Sequence, residues 1–180
     1  MSTTTVLFTV LALAISSAFA ADPCGSPDWR YSPFSNKCYK LFNVKTGWVI
    51  SEFKCVFMGG HHISIHDAQD NKFVAELAKQ AGVVWLGALQ YGTSRDYTFA
   101  DRSTFGPFEN WKNGVRPTYH KGKKCSKLDG ETGEWLQSCC KVPAAYICQK
   151  QALSLPGEII EDGTGLNDFR TRRFRRYSNH

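Results

Sequence analysis

The chain reads as an α+β domain held together by disulfides, and three observations say so. Seven Cys fall within 180 residues, roughly double an ordinary intracellular share. An apolar run at the N-terminus directs the chain to an oxidising compartment. Two segments with helical spacing are followed by short β-branched and aromatic segments bounded by glycine. At 42% hydrophobic and 21% charged, the composition excludes a wholly disordered, collagenous or membrane-bundle protein, and the length suits one domain.

Residues 6–17 form the apolar run. Ala18-Phe19-Ala20 follows, the small-x-small pattern that signal peptidase reads, with Asp22-Pro23 directly after it. Residues 1–20 are therefore expected to be a signal peptide, and the protein to be secreted and extracellular with no transmembrane segment. Outside the cell the Cys are cross-links rather than metal or redox ligands. No Asn-x-Ser/Thr sequon occurs, so N-glycosylation is not expected.

Trp48, Ser51, Cys55 and Met58 recur at spacings of three and four, which puts them on one stripe of a first helix that stops at Gly59-Gly60. A second helix starts at the N-cap Asp67, carries Asp70 in its first turn, buries Phe73, Val74, Leu77, Ala78 and Ala81, and ends at Gly82. Residues 83–89, Val-Val-Trp-Leu-Gly-Ala-Leu, form a buried strand. Residues 37–42 and 145–149 are further strands, and residues 125–128 pair with 134–136 across a turn at 129–133. Residues 90–124 show no sustained period. A compact domain keeps so long a loop for function.

Residues 151–180 hold no Cys, are broken by Pro156-Gly157, Gly163 and Gly165, and are read as a disordered Arg-rich tail. The five Arg of this tail are nearly offset by Glu158, Glu161, Asp162 and Asp168. Most of the net charge of +6 therefore belongs to the folded part.

The landmarks then fall into one order: Cys24, Trp29 and Cys38-Tyr39; Trp48, Cys55 and Gly59-Gly60; Ser64-Ile65; Asn71, Phe73 and Val74; Trp85-Leu86-Gly87; Asn110-Trp111; Cys125; Trp135, Cys140 and Cys148. This order resembles a C-type lectin-like domain in its long form, over residues 21–150. Trp85-Leu86-Gly87 resembles the Trp-Ile-Gly core signature of that family, between the second helix and the long loop. The resemblance implies two helices flanking two small antiparallel sheets, closed by a strand from each terminus, with the long loop carrying ligands. It also implies the pairs Cys24 with Cys38, Cys55 with Cys148 and Cys125 with Cys140. Cys139 is left over, and two readings stay open: a small inert thiol, or an intermolecular bridge that links a dimer.

Sugar-binding members of the family hold Ca²⁺ with a Glu-Pro-Asn or Gln-Pro-Asp triplet, an acidic residue before the Cys that matches Cys125, and Asn-Asp after the Trp that matches Trp135. Here those positions read Arg116-Pro117-Thr118, Lys123-Lys124 and Leu136-Gln137. Ca²⁺ needs six to eight oxygens, several of them anionic, so no metal or other cofactor is expected. Pro117 is expected to keep the family's cis peptide. His61, His62 and His66 lie close together, and His62 and His66 have an i, i+4 spacing compatible with Zn²⁺ on a helix, but no Cys or carboxylate beyond Asp67 stands at ligand spacing, so zinc is not expected.

No Gly-x-Ser-x-Gly, His-Glu-x-x-His or P-loop is present, and the chain is read as non-enzymatic. Asp67 and Asp70 are taken as helix N-terminal acids, and Asp96 and Asp101 as solvated loop carboxylates. Trp48, Trp85 and Trp135 are assigned to the core. Trp111 and Tyr119 flank the loop beside Lys112, Arg116, His120, Lys121, Lys123 and Lys124. Residues 112–124 contain no Asp or Glu.

The expected ligand-binding residues are Trp111, Lys112, Arg116, Pro117, Thr118, Tyr119, Lys121, Lys123 and Lys124. The resemblance implies carbohydrate binding there, the altered metal positions make it calcium-independent, and the basic residues point to a preference for sulfated or otherwise acidic glycans. The alternative is recognition of a protein surface, as receptor- or toxin-type members of the fold do. No nucleic-acid partner is expected.

Overall fold

The computed structural model describes residues 22–153. The expected signal peptide and tail residues 154–180 lie outside the described residues. In chain order the elements are β1 (Arg30–Ser32), β2 (Lys37–Thr46), α1 (Trp48–Phe57), β3 (His61–His62), α2 (Ala68–Ala78), β4 (Val83–Gln90), β5 (Tyr97–Phe99), a 3₁₀ turn (Lys112–Gly114), β6 (Cys125–Asp129), β7 (Trp135–Ser138) and β8 (Ala144–Gln151).

Helix α1 buries Trp48, Ser51 and Cys55, the stripe that the spacing predicts. Its N-cap is Gly47, which has no capping side chain, and the Trp48 N–H donates instead to the Cys140 carbonyl at 2.9 Å. At the other end Gly59 takes a φ of 76°. Its N–H reaches the Val56 carbonyl while that of Gly60 reaches the Cys55 carbonyl, each at 3.0 Å. This double closure satisfies carbonyls that the helix leaves open and favours glycine at the left-handed position.

Helix α2 is capped by Asp67, whose carboxylate accepts the Asp70 N–H at 2.8 Å. Its buried stripe is Asp70, Asn71, Val74, Ala75 and Ala78, while Phe73, Leu77 and Ala81 are only partly buried against the core. The inward stripe is thus rotated from the expected one, because polar residues face the interior. Asp70 is buried and accepts hydroxyl hydrogen bonds from Tyr39 at 2.9 Å, Ser35 at 2.9 Å and Ser32 at 3.3 Å.

The β strands form two antiparallel groups. In the first, β2 pairs with β1 and β8, and β8 also with β3; in the second, β4 pairs with β5 and β6, and β6 with β7. A short parallel contact, Val84 with Ala145 and Trp85 with Tyr146, joins them into one eight-stranded sheet in the order β1-β2-β8-β4-β6-β7. The pairing of β2 with β8 closes the two chain ends, as the resemblance implies. β8 runs to Gln151, and the Leu153 N–H donates to the Pro23 carbonyl at 2.7 Å, so residues 151–153 belong with the domain rather than with the tail.

Gly87 sits where β4 crosses the segment after β3. Its N–H donates to the Ile63 carbonyl at 2.8 Å, and a Cβ there would stand 2.7 Å from that same oxygen. The glycine of the Trp-Leu-Gly signature is therefore required by close backbone approach. Trp48 and Trp85 are buried in one apolar cluster and Trp135 in another.

The three bridges are Cys24–Cys38, Cys55–Cys148 and Cys125–Cys140, with Cys139 free and half-buried. On a chain-entropy basis, closures of about 15 and about 90 residues contribute about 3 and about 4.6 kcal/mol.

Candidate functional site

The long loop is more structured than its sequence suggests. β5 folds back on β4, and Trp111 makes an isolated parallel bridge to Trp135. The Trp135 N–H donates to the Asn110 carbonyl at 2.7 Å, while the Asn110 and Asn71 amides both donate to the Gly133 carbonyl, at 2.8 and 3.1 Å. These bonds hold the base of the loop against the β6–β7 turn.

Above that base lies an open cavity of about 480 Å³ lined by Arg95, Arg116, Pro117, Thr118 and Tyr119. Four of the expected ligand residues thus converge. Lys124 stands beside them, with its Nζ 5.7 Å from the Tyr119 ring centre and donating to the Gly92 carbonyl. Lys112, Lys121 and Lys123 are exposed but do not line the cavity.

Trp111 corrects the sequence reading. It is 3% exposed, packs at 4.7 Å on Tyr97 and 5.6 Å edge-on to Trp135, and donates its indole N–H to Glu109 at 2.6 Å. A ring buried this way offers no face to a sugar, so Trp111 is a core residue.

Two further positions differ from expectation. The cis peptide among the described residues is Gly106–Pro107, not the bond before Pro117. Asp101 is not solvated: the Ser64 hydroxyl and Gln149 amide donate to one oxygen, at 2.5 and 2.7 Å.

Arg95 was not visible in the sequence as a site residue. It lies on the β4–β5 connection, before the cation-rich stretch, and only the hairpin brings it to Arg116. Its backbone carbonyl accepts from the Gln90 amide at 2.8 Å, which fixes the turn.

Charge at the cavity is partly compensated. The Arg116 guanidinium binds Glu109 with two nitrogens, one of them 2.7 Å from Oε2. The Arg116 and Trp111 hydrogen bonds hold the Glu109 carboxyl below the usual carboxylate range despite some burial. Among the described residues Arg95 makes no ion pair, so its charge is free for a ligand.

The donor set here does not suit Ca²⁺. Arg116 and Lys124 are cations, Glu109 is committed to Arg116 and Trp111, and the Gln137 amide presents N–H groups. That amide donates to the Thr118 carbonyl at 3.0 Å and the Tyr97 hydroxyl at 3.2 Å, tying the loop to β7. Ca²⁺ needs oxygen lone pairs where this arrangement places hydrogens and positive charge.

A disulfide-stapled domain with two helices, a sheet closed by its terminal strands and a long loop is a C-type lectin-like domain. The profile described as "Lectin C-type domain" matches residues 44–150, and the chain belongs to that family. It is 30% identical over 152 residues to C-type lectin lectoxin-Lio2 of Erythrolamprus poecilogyrus, covering 81% of this chain and 91% of that protein. It is 26% identical over 145 residues to the human low affinity immunoglobulin epsilon Fc receptor, covering 80% of this chain and 43% of the receptor. The chain thus spans less than half of that receptor. The structure of a calcium-independent type II antifreeze protein superposes with a TM-score of 0.65 at 22% identity, over 71% of this chain and 95% of the other, a likeness of fold.

Proposed function

We propose that this chain is a secreted, non-catalytic binding protein that takes carbohydrate in the long-loop cavity without calcium and prefers anionic glycans. The observation that carries this reading is the pairing of Arg95 and Arg116 across a cavity whose remaining wall is Pro117, Thr118 and Tyr119. A free guanidinium forms paired hydrogen bonds with a sulfate or carboxylate, and a half-exposed Tyr ring offers a stacking face to a sugar. Lys112, Lys121 and Lys123, exposed on the same loop, add positive charge that attracts polyanions. Secretion rests on the N-terminal apolar run and on three disulfides, which form in oxidising compartments. Among the described residues, no helix is long and apolar enough to cross a membrane.

The test is a glycan panel that includes sulfated chains, run with and without chelator, on wild type and on an Arg95→Gln, Arg116→Gln double variant. Binding that survives chelation and is lost in the variant is the expected result. Binding that chelation abolishes, or that the variant retains, overturns the reading.

A second reading, recognition of a protein, is favoured by a separate observation. The outer face of α1 exposes Val49, Phe53, Val56 and Phe57, the last 87% accessible, and exposed Tyr91 lines one open groove with Val49, Phe53 and Val56. Apolar exposure on this scale marks protein interaction sites. No glycan binding at all, together with specific capture of a protein that a charged substitution at Phe53 abolishes, selects that reading.

A further inference from the structure

A polar cluster at the start of β2 serves neither the long-loop cavity nor the apolar cores. The Lys37 side chain is 10% exposed and forms part of an open cavity of about 550 Å³, walled by residues 59–61, His66, 101–103 and 149–151. That volume falls in the range of small-ligand sites.

An ammonium carries three donors. Lys37 spends one on the Ser64 hydroxyl at 2.9 Å, and the nearest carboxylate oxygen, Oδ2 of Asp101, stands 3.9 Å away, beyond hydrogen-bond reach. Asp101 is itself fully used. Its Oδ1 accepts from the Ser103 N–H at 2.9 Å and hydroxyl at 2.5 Å, and its Oδ2 from Ser64 and Gln149. The anion in this wall has its oxygens fully hydrogen-bonded, while Lys37 makes one hydrogen bond and a long ion pair with Asp101, so its remaining donors are available to an acceptor in the cavity.

The rim adds two cations, Arg102 and Lys150, and the imidazole of His66, whose pKa is lowered by burial and then by Lys37. Arg102 is exposed, makes no ion pair among the described residues, and takes a φ of 64°, a left-handed conformation uncommon for a long side chain. His66 packs edge-on against Phe99 at 5.2 Å, and its ring nitrogens make no hydrogen bond among the described residues. Lys150 closes the far side, with its ammonium 4.6 Å from the Trp29 ring centre.

We propose that this cavity is a second binding site, which takes one oxyanion group of a small ligand, a carboxylate, sulfate or phosphate, with Lys37 as the buried contact and Arg102 and His66 closing over it. The site shares no lining residue with the Arg95 cavity, so the two stand or fall separately.

The experiment titrates the full chain with sodium sulfate, inorganic phosphate, acetate and glucuronate, each followed by calorimetry and by amide chemical shifts. At least one probe should bind saturably in the millimolar range, and the identity of that probe tells sulfate, phosphate and carboxylate apart. Arg102→Asn, which tolerates the left-handed backbone and so keeps the fold, should weaken binding at least about tenfold. Lys37→Gln should abolish it, and Arg95→Gln, Arg116→Gln should leave it unchanged. Absence of binding by all four probes, undiminished binding by Arg102→Asn, or loss of binding in the Arg95/Arg116 variant overturns the proposal.

Discussion

His62 has no exposed surface, lies 5.0 Å from the Trp48 ring and 6.2 Å from that of Tyr146, and leaves both ring nitrogens without a hydrogen-bond partner. Glu52 Oε2 stands 3.4 Å from Nδ1 but accepts the His62 backbone N–H at 2.8 Å instead. Burial first, and the neighbouring His61 second, hold the His62 pKa at about 3, against about 6.5 in an unfolded chain. The folded state refuses a proton that the unfolded state accepts. Stability from this group is therefore full above about pH 6.5 and is lost as pH falls toward about 3.

Between about pH 7 and about pH 5 the loss is about 2 kcal/mol, from about 1.36 kcal/mol for each unit below the unfolded pKa. Asp101, held below the usual carboxylate range by bonds from Ser103 and Ser64 that outweigh its burial, loses its contribution only at lower pH. His62→Phe keeps an aromatic ring and removes both the titration and the orphaned nitrogens. It should make the pH 7 to 5 segment shallower by about 2 kcal/mol, leaving the part due to His66, whose pKa burial also lowers, and raise stability at pH 7 by about 1 kcal/mol or more. The assay is guanidinium unfolding with disulfides intact, followed by Trp fluorescence across that range. An identical pH dependence in wild type and variant would refute the reasoning.

Gly87→Ala drives a methyl into the Ile63 carbonyl and should cost about 1 to 3 kcal/mol in urea unfolding; an unchanged midpoint would contradict the close approach. Asp70→Ala strands the Tyr39, Ser35 and Ser32 hydroxyls and should cost about 3 kcal/mol, with Asp70→Asn costing less because it keeps an acceptor. Non-reducing peptide maps should recover Cys125 joined to Cys140, and Cys139→Ser should leave all three bridges in place. A Cys125–Cys139 peptide would show that the pairing at the end of β7 is wrong.

Much of the fold was legible because its signals are local. The stripe of α1 and the Asp67 cap are fixed by neighbours a few residues apart, and each stands where the sequence puts it; the disulfide pairs, up to 93 residues apart, were implied by the family resemblance and not by local spacing. The rotation of α2 was not legible, since Asp70 and Asn71 turn inward to partners as distant in sequence as Tyr39 and Gly133. Asp101 looked like a solvated loop acid for the same reason: its partners Ser64 and Gln149 come from other elements. In the long loop the composition located the Arg116–Tyr119 wall but could not reveal that Glu109 neutralises Arg116, that Trp111 is packed inward, or that the β4–β5 hairpin delivers Arg95. Those facts depend on tertiary pairing, and a run of like charge in sequence says little about where each charge ends up.

The most direct measurement is calorimetric titration of the protein with a sulfated oligosaccharide in chelator, repeated over a salt series and with Arg95→Gln, Arg116→Gln. Saturable binding in chelator is expected, weakening steeply as ionic strength rises and much reduced in the double variant. Binding that appears only when Ca²⁺ is added, or that is equal in wild type and variant at every salt concentration, would contradict it.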